Sequence, residues 1–207
     1  GFVVHYQPEC DLDRERWVAA EALLRWRLPD RTLAADAFID VAESSGLILA
    51  LGRKVLAKAC SDARAWPTIP APLTLRVNVS AQQFDDPALV DDVAWALQRS
   101  GLPPERLCLE LTETTLMRDT GQALETMERL QDLGVGLAID DFGTGYSSLA
   151  YLRQFPIDAL KIDRSFVAGL PADSQDYAIV AAISGLARSL GLEAVAEGVE
   201  HEEQRDA

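Results

Sequence analysis

Two adjacent carboxylates, Asp140 and Asp141, end the apolar stretch that begins at Val135, and the glycine-containing segment FGTGYSS follows them. Neighbouring like charges repel each other unless positive charge lies between them. Bound cations are one source of such charge. The alternative is simple turn chemistry, in which Asp141 caps the segment that follows it. The other strand ends of the chain decide between these two interpretations.

Polar side chains also stand at the ends of other predicted strands. They are Glu21, Asn78, Glu110, Lys161 and Glu197. In a barrel of parallel strands, all carboxyl ends open at one face, where active sites lie. We therefore expect these residues to meet at one point, where unpaired carboxylates would require bound cations. A single acid at a strand end is more often a helix cap, so the joint pattern carries the argument.

The candidate ligands are all oxygen donors apart from Lys161. Oxygen ligands suit Mg²⁺, Mn²⁺ or Ca²⁺ rather than zinc, and the two histidines of the chain make a histidine-based zinc site implausible. Paired metals about 3.5–4 Å apart clamp the attacking and leaving oxygens of a phosphoryl displacement. Lys161, held as an ammonium by its acidic neighbours, could orient water or offset phosphate charge.

Strand and helix patterns alternate along the chain. Strands are predicted at 2–8, 17–26, 73–80, 106–113, 135–141, 157–163 and 192–200. Helices are predicted at 37–46, 47–66, 85–101, 121–134, 147–156 and 174–191, with the first turns of another from 201. Pro8 is expected to end the first strand, and Asp36 to cap the first helix. The alternation implies parallel strands with right-handed crossovers and favours a (β/α) barrel over an open sheet.

Composition narrows the class of protein. The chain has 207 residues, 48% of them hydrophobic, and a formal net charge of −14. It is expected to form one domain and to be soluble, since no apolar run is long enough to span a bilayer. The acidic balance argues against nucleic-acid polymers and anionic membranes as partners. Three cysteines without CxxC spacing predict reduced, mostly buried thiols in a cytosolic domain.

Several familiar nucleotide motifs are missing from the sequence. No GxGxxG follows a predicted strand, and no GxxxxGK[ST] occurs. The DFG tripeptide at 141–143 is not that of a kinase, because no HRD-type catalytic loop and no glycine-rich ATP loop accompany it.

Seven short segments together resemble one known family. They are YQP, EALLRW, VNVS, LELTE, DDFGTGYSSLAYL, LKIDRSFV and AVAEGVE, in this order along the chain. Their order and spacing are similar to those of EAL-domain cyclic di-GMP phosphodiesterases, a bacterial signalling family named after the residues at 21–23. The resemblance covers essentially the whole chain, 1–207.

The resemblance implies an α/β fold, a (β/α)8 TIM-like barrel of the EAL type with its first strand antiparallel to the rest. It also implies hydrolysis of cyclic di-GMP to linear pGpG by water activated by two metals, Mg²⁺ or Mn²⁺, with Ca²⁺ as an inhibitory substitute. Six residues would bind the metals: Glu21, Asn78, Glu110, Asp140, Asp141 and Glu197. Lys161 would hold the attacking water, and the catalytic residues would be Lys161, Glu21, Asp140 and Asp141.

The resemblance also assigns substrate contacts to Gln7, Arg25, Asp163 and Glu200. Arg25 is the natural phosphate partner, because its planar fork can make two charge-assisted hydrogen bonds; the alternative is a surface salt bridge. Glu113 matches a position that anchors the loop after Asp141, and this loop could gate activity and form a homodimer contact.

Two features of the sequence depart from the family pattern. Leu28 stands where the family often has histidine. The family's last helix and final strand would follow Ala207, so the last strand is expected to be missing and the domain truncated at its C-terminal end. We expect the chain to be the cytoplasmic output module of a longer signalling protein, possessing regulatory domains and possibly a membrane anchor, with no membrane contact by this domain.

Two other functions fit parts of the sequence. Some members of the family lose metal ligands and act as cyclic di-GMP receptors, but every expected ligand is present here. Independently of the resemblance, a Mg²⁺-dependent barrel lyase could use Lys161 as a base on a carboxylate substrate. The paired aspartates and Arg25 fit phosphodiester chemistry at least as well.

Overall fold

A computed structural model describes residues 1–67, 71–145 and 149–207. The chain divides into two compact units. The first unit comprises Gly1–Leu109 and Arg129–Gly136, and the second comprises Glu110–Glu128 and Leu137–Ala207. Strand β5, defined below, begins in the first unit and ends in the second.

The secondary structure confirms the predicted alternation of strands and helices. The strands are β1 Phe2–Asp11, β2 Arg16–Arg27, β3 Thr32–Ala34, β4 Thr74–Asn78, β5 Leu107–Thr112, β6 Gly136–Phe142, β7 Ala159–Ile162 and β8 Glu193–Ala196. The helices are α1 Ile39–Ser44, α2 Leu47–Arg64, α3 Ala81–Phe84, α4 Leu89–Ser100, α5 Glu113–Leu116, α6 Thr120–Asp132, α7 Leu149–Leu152, α8 Arg164–Val167, α9 Ser174–Leu190 and α10 Glu202–Arg205.

The sheet of the first unit has its strands in the order β1, β2, β4 and the start of β5. β1 runs antiparallel to β2, whereas β2 and β4 are parallel, which confirms the predicted antiparallel first strand. Short β3 adds an antiparallel pair to the end of β2. Gln7 lies opposite Glu21, and Glu21 lies opposite Arg76. These three side chains therefore share one face of the sheet.

Two predicted boundaries in the first unit are wrong. β1 passes through Pro8 and ends at Asp11, because β1 lies at the sheet edge, where a proline need not supply a ladder donor. Asp36 lies inside a 3₁₀ turn, Ala35–Ala37, and α1 begins only at Ile39. Phe38, buried against the rings of Phe2 and Trp26 at 5.5 and 5.8 Å, occupies the break between the two.

Helix α2 covers the predicted amphipathic segment and buries one apolar face. That face consists of Ile48, Leu51, Leu56, Ala59, Cys60 and Ala63. Buried Arg106 donates hydrogen bonds to the carbonyl oxygens of Ala63 at 3.1 Å and Leu73 at 3.0 Å. The carbonyl oxygen of Ala63, in the last turn of α2, also accepts from the backbone amide of Trp66 at 3.2 Å, so Arg106 adds a second donor at this helix end.

The cysteine prediction holds in large part. All three thiols are free, with Cys60 and Cys108 buried and Cys10 exposed. Burial raises the pKa of the Cys60 thiol to about 12, so this side chain is an inert part of the core.

The second unit contains the end of β5 followed by β6, β7 and β8, and the pairs β6–β7 and β7–β8 are parallel. All four residues of β7 are buried, as expected for a central parallel strand. The carboxylate of Asp158, the residue before β7, accepts a hydrogen bond from the amide of Leu137 in β6 at 2.8 Å and so links the starts of the two strands. Asp173 caps the start of helix α9 by accepting hydrogen bonds from two amides of the first turn, and Gly191, with φ +73°, caps its end.

Three short helices that the sequence analysis missed begin directly after strands. α3, α5 and α8 follow β4, β5 and β7, and each starts with a capping side chain: Ser80, Thr112 and Asp163. Each cap accepts a hydrogen bond from an amide of the first turn, so the chain turns sharply at the strand end. None of the described helices combines the length and apolar character needed to cross a membrane.

Candidate active site

Lys161 is the centre of an acidic cluster in the second unit. Its side chain is 1% exposed. Its ammonium Nζ lies 2.9 Å from Glu110 Oε2, 3.3 Å from Asp140 Oδ1 and 2.6 Å from Glu197 Oε1. One buried cation therefore faces three carboxylates, all predicted from the sequence as metal ligands.

Strand register places these groups on one side of the sheet. Lys161 pairs with Val195 across β7 and β8, so Glu197, two residues beyond Val195, lies on the face of Lys161. The amide of Glu197 donates to the carbonyl oxygen of Ile162 at 3.1 Å, which continues the ladder just past β8. Glu110, 1% exposed, comes from β5.

An irregularity in β6 brings the side chains of both Asp140 and Asp141 to the acidic cluster around Lys161. Regular alternation would send adjacent side chains to opposite faces of β6. The β6–β7 register shifts between Ile139 and Phe142, and Asp141 has φ +53°, in the left-handed region. As a result, one oxygen each from Asp140, Asp141 and Glu197 lie within 4.8 Å of one another.

The pKa of Asp141 is raised and that of Asp163 is lowered, for different physical reasons. Burial raises the pKa of Asp141, and the charges of Asp140 and Asp163 and a hydrogen bond with Asp163 raise it further. Burial alone would also raise the pKa of Asp163, but hydrogen bonds from the hydroxyl and amide of Ser165, and one with Asp141, bring it below its usual value. Asp141 is therefore the acid of this pair that most needs added positive charge.

The donor set fits a hard divalent cation. Oxygens that share one such ion at about 2.1–2.4 Å lie at most about 4.2–4.8 Å apart. The spacing of the oxygens of Asp140, Asp141 and Glu197 is compatible with that limit. The donors are carboxylates alone, which suits Mg²⁺, Mn²⁺ or Ca²⁺.

Glu113 lies buried beside Gly145. It is 4% exposed, and a Cβ added to Gly145 would lie 3.2 Å from the Glu113 carboxyl carbon. Among the residues that the structure describes, neither carboxylate oxygen of Glu113 has a hydrogen-bond partner. Residues 146–148 of the predicted anchored loop lie outside the described residues, so the loop anchor and the homodimer contact stay predictions.

The first unit holds a second group of predicted site residues. The side-chain amide of Asn78 donates to Glu21 Oε1 at 2.6 Å. Exposed Gln7 lies opposite Glu21 in the register, and half-buried Arg25 donates to the carbonyl oxygen of Leu24 at 2.9 Å. Within the described ranges Arg25 forms no ion pair, so the surface salt bridge considered for it is not seen. That Glu21 and Asn78 share metals with the acidic cluster stays a prediction.

The first unit also contains a buried ion pair that was not predicted from the sequence. Arg76 is 3% exposed, and its Nε donates to Glu9 Oε2 at 2.8 Å. Its Nη1 lies 3.5 Å from the sulfur of Cys108. The available signal was alternation: in LTLRVNVS, Arg76 stands two residues before Asn78 and therefore on the same strand face.

Comparisons with known proteins identify the family of the chain. The EAL domain profile matches residues 1–207. The chain is 48% identical over 206 residues to the bifunctional diguanylate cyclase/cyclic di-GMP phosphodiesterase MucR of Pseudomonas aeruginosa, covering 99% of this chain and 30% of MucR. It is 46% identical over 203 residues to the cyclic di-GMP phosphodiesterase NbdA of the same organism, covering 97% and 26%. A solved MucR phosphodiesterase structure with c-di-GMP has a TM-score of 0.94 at 46% identity, covering 99% of this chain and 84% of that chain.

The chain belongs to the EAL domain family. The predicted α/β fold of the EAL type is thereby confirmed, as is the resemblance to bacterial cyclic di-GMP signalling proteins. The chain spans only 24% to 32% of the length of the curated relatives that it matches.

Proposed function

We propose that this chain hydrolyses one phosphodiester bond of cyclic di-GMP to give linear pGpG. The observation that carries the proposal is the buried Lys161 ammonium, surrounded by the carboxylates of Glu110, Asp140 and Glu197, with Asp141 beside them. An excess of carboxylates around one cation is suited to divalent metal binding. Membership of the EAL family, and the similarity to proteins named as cyclic di-GMP phosphodiesterases, support the choice of substrate.

The proposed ligands of two Mg²⁺ or Mn²⁺ ions are the six residues predicted from the sequence: Glu21, Asn78, Glu110, Asp140, Asp141 and Glu197. When bound, the metals would supply Lewis-acid activation of water and neutralise charge on the phosphate oxygens. Ca²⁺ would compete for the same oxygens and inhibit, because it accepts more ligands at longer distances.

The chain's own residues prepare the in-line attack. The three carboxylates around Lys161 favour its ammonium form, which donates a hydrogen bond to the attacking water and fixes its position. Arg25 binds a phosphate of the substrate through its planar fork. Gln7, Asp163 and Glu200 contact the remainder of cyclic di-GMP. These roles follow from the family resemblance and the positions of the residues.

The proposed setting is a cytoplasmic output module within a longer bacterial signalling chain. Regulatory domains elsewhere in that chain would control it, and the loop after Asp141 would contribute to a homodimer. The large difference in length between this chain and its relatives is consistent with such a multidomain parent.

The direct test is turnover of labelled cyclic di-GMP. We expect conversion to pGpG in Mg²⁺ or Mn²⁺, no conversion in EDTA, and binding without turnover in Ca²⁺. Tight binding in Mg²⁺ with no product would overturn the enzyme proposal in favour of a receptor. Turnover of small carboxylic acids, with none of cyclic dinucleotides, would indicate the lyase instead.

A further inference from the structure

The turn after Glu197 packs closely on helix α8. Gly198 has φ +73°, and a Cβ added there would lie 2.9 Å from the Cβ of Arg164. A side chain at 198 would therefore be strained and would collide with the first residue of α8. The turn leads to Glu200, which the proposed function assigns to substrate binding.

Gln204 contacts the backbone at the end of this turn, at Glu200 and His201. Its side-chain oxygen Oε1 accepts hydrogen bonds from the backbone amides of Glu200 at 2.8 Å and His201 at 3.0 Å. Its side-chain amide Nε2 donates to the carbonyl oxygen of Val167, the last residue of α8, at 3.3 Å. One side chain thus joins the backbone at Glu200 to the end of α8.

Helix α8 is itself fixed to the strand that carries Lys161. Asp163 directly follows β7 and caps α8 by accepting from the amide of Ser165 at 3.0 Å and from its hydroxyl. The contacts of Gln204 therefore connect the backbone at Glu200 with the strand–helix junction that holds Lys161 and Asp163. Glu197 has separate supports, the ammonium of Lys161 and the carbonyl oxygen of Ile162.

We infer that Gln204 is a positioning residue that sets the place of Glu200 against the substrate. The inference rests on the proposed function, since it assumes that Glu200 contacts cyclic di-GMP. Because Glu197 is supported independently, loss of Gln204 acts on substrate binding and leaves metal binding and the chemical step nearly unchanged.

Two substitutions separate the contacts of Gln204. Gln204→Leu removes all three hydrogen bonds, and we expect KM for cyclic di-GMP to rise about tenfold with kcat within about threefold of wild type. Gln204→Glu keeps the acceptor oxygens for the amides of Glu200 and His201 but loses the donor to Val167, so KM rises about threefold. Glu203→Gln, an exposed change in the same helix, is the matched control and leaves both constants unchanged.

A double substitution tests the route through Glu200. In a Glu200→Gln background, Gln204→Leu should add little to KM, because the residue that it positions is already altered. Full additivity would overturn the inference, and so would a lowered melting temperature with unchanged KM, which would mark a helix cap only. A raised Mg²⁺ activation constant without a change in KM would also overturn it, by placing the effect at Glu197.

Failure of the proposed function gives a different result. If the wild type binds cyclic di-GMP without hydrolysing it, the ratio of calorimetric Kd values for wild type and Gln204→Leu still tests the inference. A Kd weakened about tenfold supports it, and equal Kd values overturn it.

Discussion

Each unit of the chain contains a buried cation that contacts a carboxylate, Arg76 in the first and Lys161 in the second, and the surroundings of these two cations differ. In the first unit, the Arg76 guanidinium lies 2.8 Å from the Glu9 carboxylate and 3.5 Å from the sulfur of Cys108. In the second unit, the Lys161 ammonium meets three carboxylates within 3.3 Å. The contact between Arg76 and Glu9 joins one cation to one carboxylate, whereas Lys161 and the three acids within 3.3 Å of it carry a summed charge of −2 when all are ionised.

This difference indicates a structural role for the pair of Arg76 and Glu9 and a ligand-binding role for the cluster around Lys161. A one-to-one contact sets each charge against an opposite one, although a buried ion pair adds little to stability compared with an apolar replacement. A buried cluster with excess negative charge is costly unless additional cations enter. The excess of carboxylates around Lys161, rather than its burial alone, is therefore the feature that points to a metal site.

The largest expected effect is on turnover at the unbalanced cluster. Asp140→Asn keeps the shape of the side chain and removes one charge from the cluster. We expect the rate of cyclic di-GMP hydrolysis at saturating Mg²⁺ to fall by more than about 100-fold, beyond the loss typical of residues that only support metal ligands. Asp132→Asn, on the exposed face of α6, is the matched control. Hydrolysis near the wild-type rate in Asp140→Asn would refute the two-metal account.

Removing the central cation should make stability depend on metal. Lys161→Met leaves the carboxylates of Glu110, Asp140 and Glu197 without the ammonium that they share, and we expect the free energy of unfolding in EDTA to fall by about 3–5 kcal/mol. Mg²⁺ should restore part of this loss, because it replaces the missing charge. Urea denaturation with and without Mg²⁺ measures both effects.

An exposed lysine provides the control for that experiment. Lys58 contacts Asp62 at 2.5 Å with its side chain 61% exposed, so Lys58→Met should cost less than about 1 kcal/mol. An equal loss for Lys161→Met in EDTA and in Mg²⁺ would contradict the view that the cluster is completed by divalent ions.

The stability lost when Arg76 is replaced should be partly recovered when the charge of Glu9 is also removed. Arg76→Met leaves Glu9 buried without its guanidinium, and we expect a loss of about 2–4 kcal/mol, reduced because the side chain of Glu9 remains 16% exposed. The double variant Glu9→Gln/Arg76→Met should recover at least half of this loss in urea denaturation. If the double variant is no more stable than Arg76→Met, then Arg76 and Glu9 do not compensate each other's charge.

The sequence predicted the fold well where one local signal acted alone. Amphipathic periodicity located α2, and glycines located the ends of α4 and α9. It failed where tertiary position overrode a local rule. Pro8 continues β1 because the strand is at a sheet edge, and Phe38 delays α1 because its ring packs against two others. Neither environment can be read from neighbouring residues.

The site shows the same limit. Residue types at strand ends predicted that Glu110, Asp140, Asp141, Lys161 and Glu197 would meet, and the second unit brings these five together. The sequence could not show how two adjacent aspartates both face the cluster, because regular strand alternation would place their side chains on opposite faces. The positive φ of Asp141 turns its side chain to the same side as Asp140. It also missed Gln204, whose partners include a carbonyl 37 residues away in the chain.

The smallest expected effect is on the pH dependence of stability, which should differ between substitutions of Asp141 and of Asp163. Burial, Asp140 and Asp163 raise the pKa of Asp141, so the metal-free folded protein retains this proton at pH values where the unfolded chain has lost it. That stabilisation is present below the ordinary pKa of the carboxyl and disappears as pH rises through the raised value. At pH 7 in EDTA, Asp141→Asn should therefore melt at a higher temperature than wild type, with a smaller advantage near pH 4.

Asp163 should behave in the opposite way. Hydrogen bonds from Ser165 and one with Asp141 outweigh burial and lower its pKa, so its ionised form stabilises the fold above the ordinary pKa and loses this effect as pH falls. Asp163→Asn should melt below wild type at pH 7, and the two curves should converge towards acid pH. Thermal unfolding of both variants across this range in EDTA makes the measurement. If both substitutions changed the melting temperature at pH 7 in the same direction, the ionised carboxylate of Asp141 would not be the destabilising charge of the cluster.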